Sequence, residues 1–283
     1  MRIRPGQISQ WLCLCDSTRL RYPACVSQLS FHRISYHVLP PVARITLNHP
    51  PVNVIDIAMM EEIAVALAEV ESRSEIAIVV FSGGDQMFSA GVDVAAHTPE
   101  RIEEMLAKLH AIFRAMVTSR KVLVAAVTGN CLGGGAELAM MCDLVITAES
   151  AAWGFPEIRL GCFPPVAATA LAALVGQKKA AEWILTGRTF GGGEAHASGL
   201  ANAVVSQADV EARVDQLIEE LGRLSRPALA LAKKAMYAWD SMHFDKGLGR
   251  AEKIYLAELM KTEDAREGVQ AFLEKREPRW KGR

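Results

Sequence analysis

Two short runs, IAIVVF at 76–81 and VLVAAV at 122–127, each break off into a glycine-bearing loop before a segment of helical period begins. An apolar run without polar alternation is the signature of a strand covered on both faces. Strands of that kind alternating with helices dictate an α/β layer structure with right-handed crossovers. The chain is long enough for it: 283 residues, 51% of them hydrophobic, suffice for one large core or for a main body with a smaller appended piece.

The remaining elements follow from pattern. FHRISYHV and VARITLN alternate around Pro40 and Pro41 and read as a hairpin, and MMEEIAVALAEVESR reads as a helix. PERIEEMLAKLHAIFRAMVTS is expected to be a helix with Pro99 in its first turn, AELAMMCD a short helix, and DLVITAE and AWGF strands. Beyond Pro164 the segments AATALAALVG, KKAAEWILTG, VEARVDQLIEELGRLS, PALALAKKAMYAW and AEKIYLAELM have helical period, with GLANAVV a lone extended piece. The expected division is an α/β body over 31–204 and a helical region over 205–283.

Residues 1–30 stand apart, with four arginines, half of the six cysteines and no sustained period. A disordered arm or a start codon assigned too far upstream fits them better than a targeting presequence, since no apolar core precedes a small-residue cleavage site. The corresponding location is cytoplasmic, or the mitochondrial matrix if the segment is a presequence.

Charge and cysteine usage exclude several classes. Lys and Arg total 31 against 32 Asp and Glu, so no global field gathers nucleic acid or an anionic membrane. No apolar run approaches the roughly 18 residues of a membrane span. The cysteines and histidines make no zinc-ligand spacing, so no metal is expected.

Chemistry is suggested where VLVAAV ends. LGGGAEL places Gly133, Gly134 and Gly135 between a buried strand and a helix, the position at which α/β folds bind ligands and a helix N-terminus offers free N–H groups. It lacks the Lys-Ser/Thr of a phosphate loop. FSGGDQMFSAGVDV ends IAIVVF in a similar way, through Ala90, Gly91 and Val92, so adjacent strand ends could aim two N–H groups at one oxygen. Glu137 falls in the first turn after the glycines, and Glu157 follows 20 residues later in WGFPEIRLG. Two carboxylates sharing a water repel, which raises at least one pKa and lets the pair give one proton and take another.

Each feature also has a plainer reading. The helix dipole alone favours a glutamate in a first turn. TFGGGEAHASGL repeats the letters at Gly191, Gly192, Gly193 and Glu194 but follows no buried strand, so it reads as a loop and helix start. Cys131 reads as a core residue, and Asp93 and Asp143 as residues that cap or terminate elements.

Taken together, AVTGNCLGGGAELAMMCDLVITAESAAWGFPEIRLG, the preceding FSAGVDV and the final EGVQAFLEKREPRW resemble the crotonase (enoyl-CoA hydratase/isomerase) superfamily. The resemblance runs from about Phe31 to the C-terminus. It implies a ββα spiral core followed by helices that build a homotrimer or a hexamer of paired trimers. It implies an acyl-CoA substrate, no cofactor beyond the coenzyme A of that substrate, and an oxyanion hole made by the N–H groups of Val92 and Gly134. Glu137 and Glu157 match the two catalytic glutamates of hydratases, with Glu137 assigned to the water and Glu157 to the α-proton.

Substrate contacts are carried over onto Ala90, Gly91, Asp93, Gly133, Pro156 and Phe163, and contacts with the CoA of a neighbouring subunit onto Phe272 and Lys275. One segment departs from the common short-chain hydratases: GCFPPVAATA carries Cys162, Phe163, Pro165 and Val166 where small, flexible residues are usual. Together with HPPVNVIDIAMM it looks more like cyclohexa-1,5-diene-1-carbonyl-CoA hydratases. A linear enoyl-CoA and a cyclic dienoyl-CoA therefore both stand as substrates, with a Δ-isomerase or an RNA-binding relative as further alternatives. RNA binding would rest on Arg223, Arg226, Lys233 and Lys234.

Overall fold

A computed structural model of the protein describes residues 30–84, 86–238 and 240–283. The expected N-terminal extension lies almost wholly outside the described residues.

Strands β1 (Ile34–Leu39) and β2 (Val42–Leu47) form the hairpin around Pro40 and Pro41. β2 turns Ala43, Ile45 and Leu47 inward, as its alternation requires. Helix α1 (Ile57–Ser72) starts where the Asp56 carboxylate accepts from the Met59 N–H.

A ββα unit then occurs three times: β3 (Ile78–Ser82), β4 (Met87–Ser89) and α2 (Ile102–Thr118); β5 (Val122–Val127), β6 (Asn130–Leu132) and α3 (Gly134–Met140); β7 (Leu144–Ala148), β8 (Ala152–Gly154) and α4 (Pro165–Val175). The first strand of each unit joins one sheet and the second joins another. This is the spiral that the crotonase resemblance implies.

The larger sheet runs β1-β2-β3-β5-β7-β10, with β10 at Ala203–Val205, and is parallel from β2 onward. The smaller runs β4-β6-β8-β9, with β9 at Thr189–Gly191 antiparallel to β8. Every residue of β3 and β5 is buried, as their unbroken apolar runs require. Helices α5 (Gln177–Thr186) and α6 (Gly192–Ala197) flank β9; after β10 come α7 (Val210–Gly222), α8 (Arg226–Tyr237), α9 (Asp240–Ala257) and α10 (Glu263–Leu273). No helix among the described residues is long and apolar enough to cross a membrane.

Three local readings change. Pro99 is not in the first turn of α2; residues 98–101 form a separate turn closed by Arg101 and Ile102 N–H bonds to the Thr98 carbonyl, and the helix starts at Ile102. Helix α3 begins at Gly134 rather than Ala136, which places the glycines inside the helix start. The GGGE copy starts a helix after no buried strand, as expected, but its first glycine ends a three-residue edge strand, β9, instead of lying in a loop.

Asp143 is a tie between elements. Its Oδ2 accepts from the Leu123 N–H at the head of β5 (2.7 Å) and from Lys233 Nζ of α8 (2.7 Å), and the same Nζ donates to the Lys121 carbonyl (2.8 Å). Both side chains are nearly buried, at 14% and 6% exposure. Removing one member strands the other without its counter-charge. Lys233→Met is expected to lower the free energy of unfolding by about 3 kcal/mol, read from urea denaturation; unchanged stability would show that the pair is not a structural tie.

Candidate active site

The loop after β4 is fixed by spending its backbone donors one by one. Ala90 N–H donates to the Val52 carbonyl, Gly91 N–H to Ser89 Oγ, and Asp93 N–H to the Ile55 carbonyl, while the Gly91 carbonyl accepts from Ile55 N–H. This parallel bridge between Ile55 and Val92 uses the atoms of residues 91 and 93, so the Val92 N–H faces the other way and is left over. Buried Asn53 anchors the same loop from its side chain, donating to the carbonyls of Gly83 (2.8 Å) and Phe88 (3.2 Å).

The loop after β6 arrives opposite. Gly133 sits at φ +52° as the residue before α3, and Gly134 is the first helical residue, whose N–H has no intrahelical partner. The two loops touch backbone to backbone. A Cβ on Gly134 would lie 2.5 Å from Val92 Cγ2 and 3.6 Å from Val92 N, and one on Gly91 would lie 3.7 Å from Gly134 N. Only glycine permits that approach.

Glu137 lies one turn further along α3 and is buried (2% exposed). Its Oε1 accepts from the N–H groups of Val166 (3.0 Å) and Ala167 (2.9 Å), two of the free donors at the start of α4. Pro165 occupies the first position of α4, where its missing N–H costs nothing. Burial raises the Glu137 pKa to about 7, against the pull of those two bonds.

Glu157 stands on the turn Pro156–Leu160 after β8. A Cβ on Gly133 would meet its Oε1 at 2.8 Å, so the glycine loop and the second glutamate are neighbours. Its Oε2 is buried without a hydrogen-bond partner. Burial first, and the charge of Glu137 second, push the Glu157 pKa well above the carboxylate range. The start of α4 favours the anion on Glu137 over one on Glu157, which has no such donors.

One cavity of about 370 Å³ joins these groups. Of the residues singled out from sequence, Ala90, Gly91, Val92, Gly133, Gly134, Glu137, Pro156, Glu157, Phe163 and Phe272 line it. Asp93 does not; its carboxylate accepts from the Ala95 N–H and caps a short 3-10 turn, the plainer of its two readings. Lys275 does not either, lying exposed just past α10. Phe272, expected to reach a neighbouring subunit's CoA, lines the cavity of its own chain.

Cys131 is fully buried, and burial raises its thiol pKa well above the usual range, as suits a core residue rather than a nucleophile. Among the described residues no three His, Cys, Asp or Glu side chains group to hold a metal.

Sequence reasoning missed several members of the site. The Val166 and Ala167 N–H groups carry no side-chain signal, although Pro164-Pro165 before an apolar helix marks the start of α4. Tyr255 of α9, 1% exposed, enters from far along the chain, and Met105, Leu106 and Leu109 of α2 had been legible only as an apolar helix face.

A sequence model of the enoyl-CoA hydratase/isomerase family matches residues 40–283. The cyclohexa-1,5-dienecarbonyl-CoA hydratase of Thauera aromatica is 35% identical over 240 residues, covering 85% of this chain and 93% of that protein. A probable enoyl-CoA hydratase of Rhizobium meliloti is 34% identical over 258 residues, covering 90% of this chain and all (100%) of that protein. The crystal structure of an enoyl-CoA hydratase from Mycobacterium avium subsp. paratuberculosis has a TM-score of 0.81 and 27% identity, over 89% of this chain and 99% of that one.

The electrostatics make a prediction independent of any reaction. A carboxyl whose folded pKa is raised to about 7 destabilises the fold progressively as pH climbs from its unfolded value near 4.5 through 7. Glu137→Gln keeps an acceptor for Val166 and Ala167 and removes that penalty. It is expected to stabilise the protein by about 2 kcal/mol at pH 8 and by almost nothing at pH 4, measured by urea unfolding; a gain that does not grow with pH would contradict the assignment.

Proposed function

The chain belongs to the enoyl-CoA hydratase/isomerase family, and from that premise we propose that it adds water across the α,β double bond of an enoyl-CoA thioester. Enzymes of this kind are hydro-lyases. The observation that carries the reading is that one cavity is lined by two glutamates of raised pKa and by Val92 and Gly134, whose N–H groups have no backbone partner among the described residues.

In the proposed mechanism the thioester oxygen sits between the N–H groups of Val92 and Gly134. These donors stabilise the enolate that forms as the β-carbon is attacked. The Glu137 carboxylate, held by Val166 and Ala167, takes a proton from the attacking water. The Glu157 carboxylic acid gives its proton to the α-carbon, and return of the proton from Glu137 to Glu157 restores the pair. The buried Glu157 Oε2 without a protein partner supports this assignment, since a group that serves the substrate is left unpaired by the fold.

The linear and cyclic substrates differ in what supports them. General similarity to enoyl-CoA hydratases favours a linear acyl chain. The cyclic dienoyl-CoA is favoured by the Thauera relative and by the aromatic wall of Phe163 packed edge-to-face on Tyr255, 5.1 Å between ring centroids. A single-glutamate isomerase leaves the second buried carboxyl without a task. RNA binding loses Lys233, which is buried against Asp143.

Glu137→Gln and Glu157→Gln are each expected to lower kcat about 10²–10⁴-fold with crotonyl-CoA or cyclohexa-1,5-diene-1-carbonyl-CoA, products being identified by mass. Full hydration by the Glu157 variant would sink the two-glutamate mechanism. For the unaltered protein, kcat/KM should be bell-shaped in pH. Activity falls below about pH 7 as Glu137 protonates, and falls again at higher pH as Glu157 loses its proton. A profile with no acid limb near pH 7 would remove Glu137 from the proton transfer.

A further inference from the structure

Two cavities meet at Phe163. The catalytic cavity of about 370 Å³ has this side chain in its wall, and so does a larger chamber of about 600 Å³ bounded by α3, α4 and α9. Among the described residues, Phe163 is the only one common to both linings. The elements on either side agree with a single partition. On α9, Ile254 faces the large chamber and its neighbour Tyr255 the catalytic one; on α3, Met140 faces the large chamber and Glu137 the catalytic one.

Phe163 is held in place from two directions. Its ring packs edge-to-face on Tyr255, itself 1% exposed, with centroids 5.1 Å apart. Its backbone precedes Pro164, which confines it to extended conformations. A ring packed on a buried tyrosine and carried on a restricted backbone is suited to block a passage rather than swing across it.

We propose that Phe163 is the length stop of the acyl pocket. It restricts the enzyme to short or compact acyl groups and closes the larger chamber to them. The inference rests on the hydratase reading above and adds the substrate class. The chamber behind is lined largely by apolar groups, Leu174 and Phe244 among them, so cutting the stop back would give an extended hydrocarbon tail a place to go.

The test compares kcat/KM for crotonyl-CoA and dec-2-enoyl-CoA in the full-length protein, in Phe163→Ala and in Phe163→Leu. The unaltered protein is expected to prefer crotonyl-CoA by about 10-fold or more, since each methylene that a pocket refuses is worth roughly that factor. Phe163→Ala is expected to shift the ratio toward dec-2-enoyl-CoA by about 10-fold or more, and Phe163→Leu, which keeps most of the volume, by less. Equal use of both substrates by the unaltered protein overturns the proposal whether or not the variants fold. An unchanged ratio in active variants overturns it alone, leaving the hydratase reading intact. Failure of the unaltered protein to hydrate crotonyl-CoA and the cyclic dienoyl-CoA alike would remove the hydratase reading and the proposal with it.

Discussion

The close approach of two backbones, at Gly91-Val92 and Gly133-Gly134, is the constraint on which the rest of the site depends. Each loop ends a strand of the smaller sheet, and β4 pairs with β6 in parallel, so the two strand ends arrive side by side. A Cβ at Gly133, Gly134 or Gly135 would run into Glu157, Val92 or Ser89 at 2.5–2.8 Å. The three glycines thus serve three different contacts rather than one flexible turn. Among the described residues their arrangement leaves the Val92 and Gly134 N–H groups without a backbone partner beside a buried carboxyl pair, where low dielectric strengthens a donor's interaction with negative charge.

The same dry surroundings impose a cost in stability. Among the described residues neither glutamate forms an ion pair: Glu137 Oε1 is held by two N–H groups of α4, and Glu157 Oε2 is buried without a hydrogen-bond partner. Buried Lys233, by contrast, is paired with Asp143, and buried Lys121 is held by the Arg73 and Ile76 carbonyls. The contrast is physical and local. Lys233 is neutralised by a carboxylate, whereas burial without a counter-charge leaves both glutamates with raised pKa values, and the large apolar core offsets the cost in stability.

How much of this was legible in the sequence depended on whether a signal was periodic or spatial. The buried strands, the hairpin and the long helices announced themselves by period, because each buries a face of fixed repeat. The two glycine loops were legible because each comes a few residues after a buried strand, β3 or β5; the short strands β4 and β6 that stand between were not. Edge strand β9 was not legible, since its last residue, Gly191, opens a glycine run that reads as a loop, and neither was the role of α4, since a backbone N–H leaves no letter. The Phe163–Tyr255 contact joins residues that only the packing of α9 brings together. Asp93 shows the converse: it sits in a motif that points to substrate, but its carboxylate is already spent on the Ala95 N–H.

The two glycine-glutamate stretches show why composition could not separate the site from its copy. Glu194 follows Gly191 to Gly193 as Glu137 follows Gly133 to Gly135, and both fall in the first turn of a short helix. Glu194, however, faces Arg188 and Lys179 at the surface, and the Arg188 bond above all holds its pKa at about 2, a permanently ionised anchor. Glu137 faces no cation and is raised to about 7, where it can change its protonation state under neutral conditions. The difference comes from the strand beneath each loop. Strand β6 lies inside the smaller sheet, between β4 and β8, and delivers Glu137 to the interior, whereas β9 lies at the edge of the same sheet and delivers Glu194 to the outside. In this architecture the place of the preceding strand in its sheet, more than the loop sequence, separates a buried glutamate of raised pKa from a surface glutamate held ionised by an arginine.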